Sequence, residues 1–159
     1  MTVLRFVLAI FGLWTALAWQ QSVVGQSLFL GQRADLTIVL VCLVGVRTRP
    51  ALGAVYGFVA GVAHGGAAGA DLTAFAATRT LLGFFSSFVA RSSLQFSPYM
   101  TGLVALVGTL VAQGLLLFMA PPPDIGHFLG ATLGTAIFNG VLAGLTDALL
   151  RRTLDPKED

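Results

Sequence analysis

The sequence predicts an all-α integral membrane protein, a six-helix transmembrane bundle, and three observations predict it. Of 159 residues, 56% are hydrophobic and only 10% are charged, whereas soluble domains carry roughly a quarter charged residues. The mean hydropathy is +0.87. Basic residues fall at alternate boundaries between apolar runs. At roughly 20 residues per span, the length leaves room for about six helices and almost no extramembrane mass. A single transmembrane domain over 1–150 and a polar cytoplasmic tail over 151–159 follow. The formal charge of +2 comes from scattered arginines, not a dense basic stripe, so the expected partner is the lipid bilayer and not nucleic acid. The one cysteine, Cys42, sits in an apolar run where packing is its expected role.

The first run, 3–24, follows Arg5 and ends in Gln20, Gln21 and Ser22. Ala16-Leu17-Ala18 also gives this segment the look of a signal peptide. The second run, 34–46, opens after Arg33 and Asp35 and is short for a span, about 20 Å as a helix. A thinned bilayer, or residues 27–30 lying along the interface and leading into it, would accommodate that length. Arg47-Thr48-Arg49 closes it, and Pro50 suits the first turn of the third helix, 51–69. A glycine-rich turn and Asp71 as N-cap separate that helix from the fourth, 72–90. Ser97 and Pro98 open the fifth, 98–120, and Asp124, after three prolines, caps the sixth, 125–150. Threading these spans from a cytoplasmic N-terminus places Arg5, Arg47, Arg49, Arg91, Arg151, Arg152 and Lys157 inside and Arg33 outside. Both termini are therefore expected in the cytoplasm.

Within the third helix Gly53, Gly57, Gly61, Gly65 and Gly69 recur at every fourth residue. Such a stripe admits another backbone closely, within the bundle or from a partner. Gly126, Gly130, Gly134, Gly140 and Gly144 repeat the device in the sixth helix, so helices three and six are the expected tightly packed pair. Arg79 is costly near a helix centre, about 2.5 to 3.5 kcal/mol on insertion scales, and needs compensation. It has the reach to snorkel outward toward Asp71, the carbonyls of 65–69 or Gln113, or to pair with a partner. A structural anchor and a substrate or partner site both remain open for it. His64, beside two glycines, is expected to serve interfacial hydrogen bonding, as is His127. Asp147 lies four residues before Arg151, the favourable order for a local ion pair. No Ser/His/Asp set, phosphate loop or metal-binding helix pattern occurs, and no two intramembrane carboxylates supply an acid and a base. The sequence points to no enzyme, no catalytic residue, no metal and no cofactor.

The run Ala51-Leu52-Gly53-Ala54-Val55-Tyr56-Gly57-Phe58-Val59-Ala60-Gly61 follows Asp35 and a short apolar helix ending in Arg47-Thr48-Arg49-Pro50. Together with Gly69-Ala70-Asp71-Leu72-Thr73-Ala74 and the helix through Gly83, it resembles the MreD family of bacterial rod shape-determining proteins over roughly residues 30–90. Where that family carries an acidic residue near the outer end of the glycine-rich helix, this sequence has His64 and Gly65. The resemblance implies a multi-pass protein of the bacterial cytoplasmic membrane, a non-catalytic scaffold of the cell-elongation machinery. Its implied partner is the bitopic protein MreC and, through it, the peptidoglycan synthase and cytoskeletal MreB. It also implies a fold similar to the substrate-binding components of vitamin transporters. A small-solute binding subunit of a membrane transporter, with a pocket near His64, Asp71 and Arg79, is the alternative.

Overall fold

The computed structural model describes residues 3–22, 33–91 and 97–154. Six helices and no strand occur among them: α1 (Val3–Gln21), α2 (Leu36–Gly45), α3 (Pro50–Ala68), α4 (Leu72–Arg91), α5 (Pro98–Met119) and α6 (Ile125–Leu154). Among the described residues, α3, α4, α5 and α6 are long and apolar enough to cross a membrane, and α2 is a shorter apolar helix.

Local chemistry sets most of the boundaries. Pro50 occupies the first turn of α3, where its missing N–H costs no intrahelical bond. Gly69 ends the helix with φ at +61°, a left-handed conformation that favours glycine. The Ala70 N–H returns to the Gly65 carbonyl at 3.0 Å, closing a Schellman-type cap. Asp71 accepts from the Ala74 N–H at 2.9 Å to start α4. Ser97 and Asp124 do the same for α5 and α6 through Met100 and His127.

α3 and α4 form one antiparallel pair and α5 and α6 another, each joined by a short connection. α2 wedges among α3, α4, α5 and α6, parallel to α4 and α6, and α1 packs against α2 and α3. Leu13 and Leu17 of α1 are buried, and Tyr56 donates to the Ala9 carbonyl at 2.9 Å. The segment that looks like a signal peptide is thus a packed member of the bundle. One end of the bundle carries Arg47, Arg49, Arg91, Arg151 and Arg152, the other Asp71 and Asp124.

The expected pairing of helices three and six is not what forms: α3 packs on α4, and α6 on α5. A Cβ at Gly53 would meet the Gly83 carbonyl, one at Gly57 the Arg79 carbonyl, and one at Gly61 the Phe75 carbonyl at 2.5 Å. The stripe therefore brings two backbones of the same chain together. A turn of a few residues holds α4 beside α3, so α4 claims the small-residue face first. In α6, Gly140 and Gly144 face α5, where a Cβ at either would come within 3.0 to 3.2 Å of Leu106 or the Pro98 carbonyl, whereas Gly130 has open space around it.

α2 is the unusual element. Its ten residues make a helix about 15 Å long, half the roughly 30 Å hydrocarbon thickness of a bilayer. Seven of the ten are buried, so an amphipathic pattern has nothing to report. Its end near Arg47 lies at the basic end of the bundle, and its start lies inside it. Segment 27–30, the expected approach to this helix, lies outside the described residues.

Candidate functional site at the buried start of α2

A helix that begins inside a bundle exposes unpaired N–H groups to a medium without water, and each must find an acceptor in the protein. Asp35 meets that demand. Its carboxylate accepts from the Ile38 N–H at 3.1 Å, and its own N–H donates to the Asn139 side-chain oxygen at 2.9 Å. Asn139, fully buried midway along α6, is held in turn by donating to Thr109 of α5 at 3.1 Å. Thr109 donates onward to the Ala105 carbonyl at 2.6 Å. Three helices thus position one carboxylate.

Arg79 supplies the opposite charge. Its Nη2 lies 2.6 Å from Asp35 Oδ2, and the side chain is completely buried. The guanidinium also sits 5.2 Å from the Phe75 ring centre, within cation–π range. His64 completes the group: Nδ1 is 3.7 Å from Asp35 Oδ1, too long for a hydrogen bond, and its ring meets Phe75 edge-on at 4.9 Å. Arg79 Nε, His64 Nδ1 and Thr37 Oγ1 are buried without hydrogen-bond partners. The cluster thus brings together one carboxylate, one guanidinium and one imidazole. Among the described residues no group of three or more metal-ligating side chains forms.

Of the sequence candidates, the structure unites His64 and Arg79 and leaves Asp71 apart. Asp71 is exposed and committed to capping α4, about 12 Å along the axis from Arg79. The expectation that Arg79 snorkels outward toward it is therefore corrected. Asp35, its actual counter-ion, lies 44 positions away in sequence. The signal that identifies Asp35 is the shortness of the run behind it: a helix too short to span must start inside, and a carboxylate at such a start requires a cation. Gly53, Gly57 and Gly61 face α4 and serve the site indirectly, since their small size lets the backbone that carries Arg79 approach α3.

A second buried carboxylate lies toward the basic end. Asp147 has no exposed surface and receives Thr101 Oγ1 at 2.9 Å, Arg151 Nε at 2.9 Å and the Arg47 guanidinium. The expected local pair with Arg151 is thus one part of a junction among α5, α6 and the end of α2. Ser87 adds to it, donating to the Gly45 carbonyl at 2.8 Å, and Arg47 returns to the Leu43 carbonyl at 3.0 Å. Both ends of α2 are closed by side chains of other helices.

Two cavities stand out, and neither lies at the Asp35 cluster. One is an apolar groove of about 450 Å³ between α4 and α5, walled by Leu81, Leu82 and Phe85 on one side and Leu103, Val107 and Val111 on the other. The second, about 350 Å³ and polar, lies among Arg47, Arg49 and Arg91. In comparisons with known proteins, no family model, no curated protein and no solved structure matches the chain.

Proposed function

We propose that this protein is a non-catalytic scaffold of the bacterial cell-elongation machinery. It is a multi-pass protein of the cytoplasmic membrane with both termini inside, supporting cell shape and peptidoglycan synthesis by binding an MreC-like bitopic partner. The resemblance over roughly residues 30–90 motivates the reading, and the groove between α4 and α5 is the observation that carries it. From Met100 to Leu115 the groove follows α5 for about 22 Å. A lipid chain covers one leaflet, about 15 Å of the hydrocarbon core, so a groove of this length suits a transmembrane helix better. Its walls are apolar and exposed, with Phe85, Leu103 and Val111 each at least half accessible, as a helix-in-groove contact requires.

The test is co-purification in mild detergent with a co-expressed MreC-like protein of the same bacterium. Val107→Trp with Val111→Trp fills the groove and should cut recovery of the partner severalfold. Val141→Trp, on the exposed face of α6, should leave it unchanged. Equal recovery in both variants would remove the reading.

One observation favours a small-solute binding subunit of a transporter as the second reading. A half-helix whose start lies inside the bundle is a recurrent way to build solute sites in transporters. Saturable binding of a solute that is lost in Asp35→Asn would promote it.

A further inference from the structure

The polar cavity at the basic end is built by three arginines, two from the short connection between α2 and α3 and one from the end of α4. Arg47 follows α2, Arg49 precedes α3, and Arg91 ends α4. Their charges are unequally compensated. Arg47 is engaged by Asp147 and the Leu43 carbonyl. Arg49 and Arg91 are exposed and have no carboxylate within ion-pair distance among the described residues. The described carboxylates are all committed elsewhere: Asp35 to Arg79, Asp147 to Arg47 and Arg151, and Asp71 and Asp124 to helix caps at the opposite end. Among the described residues, the cavity is therefore a concave site with net positive charge.

Its other wall is apolar. Val46, Leu52 and Ala90 share the lining with the arginines, and Leu52 begins an exposed apolar strip on α3 that continues through Val55 and Val59. A cationic cup opening onto an apolar strip along a membrane-crossing helix matches a ligand with an anionic head and a hydrocarbon tail. Arg49 lends no side-chain bond to the start of α3, so the positive end of that helix adds to the field in the cup.

We propose that this cavity binds the phosphate of an anionic glycerophospholipid, held by Arg49 and Arg91, with the acyl chains lying along Leu52, Val55 and Val59. Arg47, fixed by Asp147, forms the rigid floor. The site requires only that the bundle be embedded in a membrane and is independent of the scaffold reading. Phosphatidylglycerol and cardiolipin carry the required charge, whereas zwitterionic phosphatidylcholine does not. Each arginine near a bilayer surface is worth about fivefold in affinity, so losing two should weaken binding roughly 25-fold.

The experiment uses the full chain in neutral detergent, with lipid retention read by native mass spectrometry and stability by thermal unfolding. Phosphatidylglycerol should be retained and should raise the unfolding temperature, and phosphatidylcholine at the same concentration should do neither. In the double variant Arg49→Gln, Arg91→Gln both effects should vanish, while the unfolding temperature without lipid stays that of the wild type, which certifies the fold. Arg152→Gln, at the same end but outside the cavity, should behave as the wild type. Equal retention of both lipids, or full retention by the double variant, would overturn the assignment. Stabilisation by inorganic phosphate equal to that by phosphatidylglycerol would assign the cup to a free anion and overturn the lipid.

Discussion

Arg79 Nη2 and Asp35 Oδ2 meet at 2.6 Å inside the bundle, joining the middle of α4 to the first residue before α2. Among the described residues neither charge has a second partner within ion-pair distance, apart from the His64 ring at 3.7 Å from Asp35, which counts only when protonated. Arg79→Ala should therefore lower stability by about 3 to 5 kcal/mol, because it strands a buried carboxylate. In a cycle of wild type, Arg79→Met, Asp35→Asn and the double variant, the double should lose much less than the sum of those two single changes. Thermal unfolding of the four proteins in one detergent checks this, and strictly additive losses would show that the pair is not coupled.

The glycine stripe separates by contact. Gly57→Ala drives a methyl group into the Arg79 carbonyl, an atom of the backbone that cannot rotate away, and should cost about 1 to 3 kcal/mol. Gly130→Ala meets open space and should be neutral or stabilising by up to about 1 kcal/mol through helix propensity. Comparable unfolding temperatures for the two variants would contradict the packing of α3 on α4.

At the second junction, Asp147→Ala removes the acceptor of Arg47, Thr101 and Arg151 together. It should destabilise by about 3 kcal/mol or more. Arg151→Ala removes only a partner whose side chain is 40% exposed and should cost about 1 kcal/mol or less. Urea or heat titration of both variants reads the ratio, and a larger loss from the arginine would invert the assignment of the anchor.

Cys42, the single cysteine, is fully buried beside Ser86. Maleimide labelling should be blocked in native micelles and complete after sodium dodecyl sulfate. In a Cys42→Ala background, Pro122→Cys should label from outside the cell and Thr153→Cys only after permeabilisation. The reverse pattern would invert the proposed orientation.

Much of this architecture is legible locally. Pro50, Asp71, Ser97 with Pro98, and Asp124 mark helix starts because capping is a matter of neighbouring residues. Pairings are not local. The four-residue spacing of Gly53, Gly57 and Gly61 announces a close approach and carries no address, so it fits α6 as well as α4, and chain connectivity decides for α4. Arg79 announces a missing anion, but proximity in sequence favours Asp71, and the one local sign of Asp35 is the shortness of the run behind it. The shortness of α2 is plain in the sequence, whereas its depth is set by Asn139 and Thr109, polar residues in helices that follow it.

That dependence has a consequence for how the chain is made. The ribosome delivers Asp35 and the ten residues of α2 before Arg79, before Thr109 and long before Asn139. A segment so short, led by a carboxylate, has poor prospects of partitioning alone into lipid at the translocon. Its seat in the bundle is complete only once α4, α5 and α6, which supply its partners, have been made. The helix whose partners are delivered last is among the first to be synthesised.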